Sequence, residues 1–301
     1  MTEPYYSFST YLKKRFRGVP VRKIPIDAGF PCPNKDGSLS FDGCIFCDTF
    51  GSGPIKSMVQ ALSIPEQIRS FIRERHDLKY IAYYQAHSNT CAPLAVLRQR
   101  YEIIFQFPEI VGLFIGTRPD AIAPDVYPLL QELNDRTYLT VELGLQSTHP
   151  KSLCFLQRNH TYAQFLETFA TLKKCHIDTL VHLIVGIPGE TIADMLATVA
   201  EMNRLKPAGI KFHLLHVLKN TPLFNLYEQK QFTLLEMDEY ADIMCLLLEH
   251  LDPGIVIHRL TGERDKELFH APAWAMDKNA VIQAIRNKMV AKNTVQGLAK
   301  K

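Results

Sequence analysis

Three cysteines in the stretch CPNKDGSLSFDGCIFC, Cys32, Cys44 and Cys47, have the type and spacing for metal chemistry. Soft thiolates held close together bind zinc or iron, and a loop with Pro33, Gly37 and Gly43 has little capacity for regular structure but can wrap around an ion. The count separates two outcomes. A structural zinc site closes its shell with four protein ligands, so it would need one more from elsewhere in the fold. A four-iron cluster held by three cysteines keeps one iron open to bind a small molecule. Cys91, Cys154, Cys175 and Cys245 are scattered and read as free thiols, with Cys91 held open because it falls in a loop expected near the same face.

The elements that position this loop alternate strand and helix from Val21 onward. The first strand, Val21 to Asp27, contains Pro25, which cannot donate to a ladder and belongs at a sheet edge. Further strands are expected at Lys79–Tyr84, Val111–Ile115, Tyr138–Leu143, Asp178–Val185 and Gly209–Leu218. Between them run helices. Ser63 with Glu66 caps one that buries Ile68, Phe71 and Ile72; Thr161 with Gln164 caps another with Phe165, Phe169 and Leu172 inward. Thr191 opens a helix with Ile192, Met195, Val199 and Met202 on one face, and a last helix at Asp238–Leu251 precedes a strand at Ile255–His258. The pattern is that of an α/β fold, six β/α units with parallel strands, whose chemistry sits where strands end and helices begin.

The candidate residues fall at those ends. Gln85 to Thr90 follow strand two, Gly116 to Asp120 follow strand three, Glu142 to Gln146 end strand four, and Gly186 to Glu190 follow strand five. Gln85, Thr117 and His182 read as polar groups satisfied at strand ends. His213 and His216 lie on expected strand six, three positions apart. Side chains at that spacing point to opposite faces of a strand, so only one of the two could face a barrel interior.

Composition is that of an ordinary globular protein, with 47% hydrophobic and 22% charged residues, and the longest purely apolar run, Ile243 to Leu248, is too short to cross a bilayer. The N-terminus has no apolar signal segment, so a cytoplasmic location without a membrane partner is expected. Residues 1–25 carry six Lys/Arg against Glu3 alone, and the tail 278–301 carries six with no acid. The remaining body holds 22 basic and 30 acidic side chains, a net of −8. Basic ends on an acidic body suit either a polyanionic partner or plain solvation.

Taken together, the three-cysteine loop, the Gly186-Ile187-Pro188-Gly189-Glu190 turn and the six β/α units resemble the radical S-adenosylmethionine (SAM) superfamily over nearly the whole chain. Val141 to Ser147, followed by Arg158-Asn159-His160-Thr161, is similar to the elongator subunit that modifies wobble uridine, which usually has Gly where this chain has Asn159. Cys-Pro-Asn-x-Asp-Gly, Gly-Thr-Arg-Pro-Asp and His-Leu-Ile-Val-Gly-x-Pro-Gly-Glu match the bacterial YhcC/YtqA family, whose cluster spacing of eleven residues and then two is shared here. The resemblance implies a partial (β/α)6 barrel of radical SAM type, one domain over residues 1–301 with its core at about 20–260 and short basic extensions at 1–19 and 278–301. It implies a 4Fe-4S cluster on Cys32, Cys44 and Cys47, and SAM as cofactor. Glu142 or Gln146 would then bind ribose or methionine groups, Arg158 the SAM carboxylate, and the backbone around Gly186 and Gly189 would flank adenine.

The function so implied is modification of the C5 side chain of wobble uridine in tRNA, from carboxymethylaminomethyl to aminomethyl 2-thiouridine. A reductant such as flavodoxin or ferredoxin would serve as electron donor, and a methyltransferase is a candidate downstream partner. Two alternatives stand beside it. The Gln146 to Arg158 spacing is similar to that of oxygen-independent coproporphyrinogen dehydrogenase, which suggests radical oxidation or decarboxylation of a small molecule. The third is a non-catalytic zinc-binding RNA module.

Overall fold

The computed structural model describes residues 3–48, 51, 62–72, 78–262 and 266–299. The chain runs α1 (Phe8–Arg15), β1 (Val21–Ile26), α2 (Ile64–Ile72), β2 (Lys79–Tyr84), α3 (Leu94–Glu102), β3 (Ile110–Thr117), α4 (Val126–Arg136) and β4 (Tyr138–Gln146). It continues through α5 (Pro150–Phe155), α6 (Tyr162–Lys174), β5 (Asp178–Val185), α7 (Ile192–Leu205), β6 (Gly209–Leu214), β7 (Val217–Leu218) and α8 (Pro222–Glu228). The last elements are α9 (Met237–His250), β8 (Val256–Arg259), β9 (Phe269–Ala271) and α10 (Lys278–Ala291).

Among the described residues, seven strands form one parallel sheet in the order β1-β2-β3-β4-β5-β6-β8, curled into a half-barrel. The two phases of each strand explain the layering. Tyr80, Ala82 and Tyr84, Leu113 and Ile115, Val141 and Leu143, Val181 and Leu183, and Ile210 and Phe212 belong to the large core shared with the helices. The alternate residues face the concave side. There Ile81, Tyr83 and Phe114 pack with Leu12, Phe8, Tyr11 and Phe16, so α1 closes the apolar floor of the half-barrel. Lys23, Glu142, His182 and Lys211 follow the same inward phase and form a polar layer.

The sheet bears out some expectations and corrects others. The strand expected at Ile255–His258 joins it as β8, a seventh parallel strand beyond the six β/α units. Strand six stops at Leu214 because its neighbour β5 ends at Val185, leaving no ladder to continue; β7 pairs instead antiparallel with β9. Phe71 (42% exposed) and Ile192 (48%) do not face inward, since Ile64, Gln67 and Ile68 already fill the sheet-facing side of α2 and Ile192 is the first residue of its helix. The expected capping box at Thr161–Gln164 is formed, Thr191 makes another with Asp194, and Ser63 donates to the Glu66 carboxylate through both its backbone N–H and its hydroxyl.

The sheet edges are β1, which carries Pro25, and β8, where Ile257 N donates to Tyr6 O at 2.8 Å. The two termini are tied together at that second edge. Gln296 accepts from Tyr6 N at 2.8 Å and donates to the carbonyls of Asp252 (2.8 Å) and Ile255 (2.9 Å). Arg286 pairs with Glu3 at 2.7 Å, Lys288 with Asp238 and Asp242, and Lys292 with Asp242. Much of the basic tail is therefore committed to intramolecular ion pairs; Lys300 and Lys301 lie outside the described residues. Gln296→Ala removes the bonds to Tyr6 N and Ile255 O, while Asp252 O keeps the one from Ile255 N (3.1 Å), and is expected to lower unfolding free energy by about 1–2 kcal/mol, read as a lower urea midpoint at unchanged slope.

Candidate active site

The cysteine loop is built by backbone turns at the mouth of β1. Cys32 O accepts from Lys35 N (2.7 Å) and Asp36 N (3.0 Å), and Cys47 N donates to Cys44 O at 3.0 Å, which folds the Cys-x-x-Cys pair into a turn. Gly43 sits at φ +77°, and a side chain there would also strike Lys35. Fully buried Asn34 crosses the loop, donating to Gln157 O (2.8 Å) and to Cys44 Sγ (3.4 Å) while accepting from Asn159 Nδ2 at 2.6 Å. Asn159 has φ +53°, a conformation asparagine tolerates better than most residues, so the place of the usual glycine is taken by a residue that also braces the loop.

Cys32, Cys44 and Cys47 line one cavity with Ser88, Thr117, Arg118, Glu142, Gly144, Gln146, Arg158 and His182. Among the described residues no three His, Cys, Asp or Glu side chains are gathered tightly enough to hold a single metal ion. The cavity nevertheless fits a group with several anionic sulfurs. Arg158 Nη1 and Asn34 Nδ2 both donate to Cys44 Sγ, at 3.1 and 3.4 Å, so hydrogen-bond donors already face the sulfur. Among the described residues Ser88 Oγ and Arg118 Nη1 are buried there without a hydrogen-bond partner, as expected of groups a ligand completes.

Arg158 is buried rather than a surface ion-pair residue. Its Nη2 donates to Gly144 O at 2.6 Å and its Nε to His160 Nε2 at 3.3 Å. Burial, then Arg158 and Arg118, pushes His160 down to about 3, so the ring is neutral and can accept that bond. Gly144 is glycine because Gln146 Nε2 and Arg158 Nη2 would lie 3.1 and 3.2 Å from a Cβ. Gln146, at φ +78°, ends β4 after an irregularity in its pairing with β5. Arg118 makes a bidentate pair with Asp120 (2.9 Å each) and donates to Arg158 O at 2.7 Å.

Glu142 lies deeper, and both its oxygens are engaged. Lys23 Nζ donates to Oε1 at 3.0 Å, while His182 Nε2 (2.8 Å) and Lys211 Nζ donate to Oε2. Burial alone would raise this carboxyl, but Lys211, Lys23 and His182 outweigh it and hold it well below the usual carboxylate range. Burial pushes both lysines down, and it brings His182 to about 4. Because an ionised carboxylate only accepts, Nε2 of the neutral His182 carries the proton, and its Nδ1 accepts from His213 Nε2 at 3.3 Å. Lys23 and Lys211 were not singled out in the sequence; the signal was a charge on the inward phase of an otherwise apolar strand.

His213 and His216 are not divided between two faces. His216 lies beyond the end of β6, and both line one small cavity with Phe46, Gln146 and His182. Gly186 and Gly189, both at positive φ, form the turn after β5 but do not line the cysteine cavity; the turn is joined to the end of β4 by Ser147 Oγ donating to Glu190 at 2.5 Å. Cys91 is outside the cavity lining, and burial pushes its thiol up.

Glu142→Leu leaves buried Lys211 and half-buried Lys23 without a carboxylate and is expected to destabilise the fold by about 3 kcal/mol in urea unfolding. Adding Lys23→Met and Lys211→Met should recover most of that loss, because the uncompensated charges go with them.

Residues 41–202 match the radical SAM superfamily and residues 207–291 the radical SAM C-terminal domain. The first match includes Cys44 and Cys47 and begins after Cys32. The chain is 38% identical to protein YtqA of Bacillus subtilis, over 97% of this chain and 92% of that one, and 33% identical to protein YhcC of Escherichia coli, over 90% and 87%. The solved structure of the archaeal Methanocaldococcus infernus Elp3 shares the fold with a TM-score of 0.64 at 16% identity, covering 92% of this chain and 64% of that one. Enzymes of the superfamily use a 4Fe-4S cluster and SAM. The half-barrel, its cysteine loop and these similarities together establish that the chain belongs to the radical SAM superfamily, in the family of YtqA and YhcC.

Proposed function

We propose that this enzyme acts on tRNA, converting the carboxymethylaminomethyl group at C5 of a wobble 2-thiouridine to aminomethyl. The observation that carries this reading is that the elongator-like residues of the sequence, Glu142, Gly144, Gln146 and Arg158, are the ones that line the cysteine cavity. Cys32, Cys44 and Cys47 hold the cluster. When bound, the cluster and SAM supply a 5′-deoxyadenosyl radical, a strong hydrogen-atom abstractor.

The chain's own residues bind and orient. Arg158 steadies Cys44 and Gly144 and, with Arg118, whose Nη1 has no partner, offers guanidinium donors to the methionine carboxylate. Gln146 supplies an amide for ribose, and the turn at Gly186 to Gly189 flanks adenine. On the substrate, the C–H bond next to nitrogen is the favoured target because the lone pair stabilises the resulting radical. Loss of that hydrogen atom, then of one electron to a flavodoxin- or ferredoxin-class carrier and a proton, gives an imine; hydrolysis releases a two-carbon oxo acid and leaves aminomethyluridine. A wobble base is single-stranded and can be splayed into such a site.

Reduced, reconstituted enzyme with SAM and tRNA bearing the carboxymethylaminomethyl group is expected to yield 5′-deoxyadenosine and aminomethyl nucleoside in step, by nucleoside mass spectrometry. Release of 5′-deoxyadenosine indifferent to that tRNA, with the base unchanged, would favour a small-molecule substrate. Cys44→Ala should abolish the cluster's visible absorption and SAM cleavage while the far-ultraviolet circular dichroism stays that of the wild type.

A further inference from the structure

A cavity of about 880 Å³ lies against α1 between the edge strands β1 and β8. Five cationic side chains line it, Lys13, Arg22, Lys23, Lys211 and Arg259, and among the described residues no carboxylate does. Tyr83 and Gln85 line both this cavity and the cysteine cavity, so the two meet at that rim.

The charges of the inner wall do not balance. One carboxylate, Glu142, stands behind two ammonium groups, and Arg259 repels both of them. Like charges gathered on one wall repel one another unless a counter-charge is supplied. Donors remain as well. Glu142 takes one hydrogen bond from Lys23, whose ammonium otherwise lies over the rings of Phe114 (4.1 Å) and Phe8 (4.7 Å). His258, on the same wall, has a buried Nδ1 with no hydrogen-bond partner among the described residues. Counting Glu142 against the lysine pair leaves one positive charge, to which Arg259 adds another, beside an aromatic wall; a compact anion such as a carboxylate answers that excess.

We propose that Lys23 and Lys211, braced by Glu142, form a subsite that receives a carboxylate of the substrate through the opening between β1 and β8. In the tRNA reading, on which this assignment of the ligand rests, the carboxylate is that of the carboxymethylaminomethyl group. Holding it here directs the adjoining methylene toward the Tyr83–Gln85 rim and the cysteine cavity. The aminomethyl product lacks the carboxylate and would lose the contact, so the same subsite distinguishes substrate from product.

Two measurements test this separately. Thermal melting of the reconstituted enzyme, saturated with SAM so that its carboxylate site is filled, is followed with acetate, phosphate or chloride at equal ionic strength. Acetate should raise the midpoint by a few degrees, and Lys23→Met should abolish that shift. Stabilisation by phosphate alone, no shift with acetate, or an acetate shift that survives Lys23→Met would overturn the subsite. Should that variant not fold, Arg259→Gln is read instead, with acetate weakened several-fold expected and unchanged acetate binding counting against the subsite. The second measurement compares tRNA bearing the carboxymethylaminomethyl group with the same tRNA as its carboxamide. The wild type should favour the carboxylate by about 10–100-fold in kcat/KM, the worth of a charge-assisted hydrogen bond, and Lys23→Met should lose that preference. If neither tRNA reacts while the acetate shift persists and depends on Lys23, the tRNA reading fails and the carboxylate subsite stands.

Discussion

The buried carboxylate of Glu142 is the constraint on which the concave face depends. Bringing an ionised group out of water costs several kcal/mol even after relaxation, and one partner rarely repays it. Here three partners converge from three other strands, Lys23 from β1, His182 from β5 and Lys211 from β6. Lys23 reaches Glu142 from the edge of the sheet, three strands away, which is feasible only because the sheet is curled. Such a cluster is weak evidence for stability as such; what it specifies is register. A slip of one residue in β6 would turn Ile210 or Phe212 into the polar layer and leave Glu142 facing an apolar side chain.

Above that layer the site is assembled from backbone rather than from strand side chains. Arg158 ties the innermost cysteine to Gly144 at the end of β4, and Arg118 ties Arg158 to the loop after β3. Asn34 and Asn159 join the cysteine loop to the segment that carries Arg158. Gln146 is held in left-handed geometry at the same point, a strain that persists only where surrounding contacts over-determine it. Among the described residues Ser88 Oγ and Arg118 Nη1 are buried without a hydrogen-bond partner, and both residues line the cavity of the three cysteines.

Much of this was legible in the sequence because it follows from local chemistry. Strand positions and the inward faces of α6 and α7 came from periodicity, and Thr161–Gln164 announced a helix start through its own hydrogen bonds. The cysteine loop and its position after β1 needed only spacing. What could not be read depends on partners distant in the chain. Periodicity gives the phase of Lys23 and Lys211 but not that one carboxylate, 119 and 69 residues away, lies opposite both. The end of β6 is decided by where β5 stops, so His216 was assigned to a strand that had no neighbour to pair with. Asn159 looked like a departure from a glycine pattern until its amide was seen to brace Asn34.

Charge was the most misleading of the sequence signals, and the correction bears on substrate class. Counted along the chain, the two basic ends look equivalent, yet Arg286, Lys288 and Lys292 face acids of the same fold while Lys13 of α1 borders the opening between β1 and β8. The surrounding body carries a net of −8 and repels a polyanion at long range. At physiological salt the field of distant charges is screened beyond about 8 Å, so a ligand near the opening responds to Lys13, Arg22 and Arg259 rather than to the total. A wall of one sign around a low-dielectric cavity focuses that local field inward. The position of the basic residues, rather than their number, therefore sets the field at this opening, and that local field is what the proposed carboxylate subsite depends on.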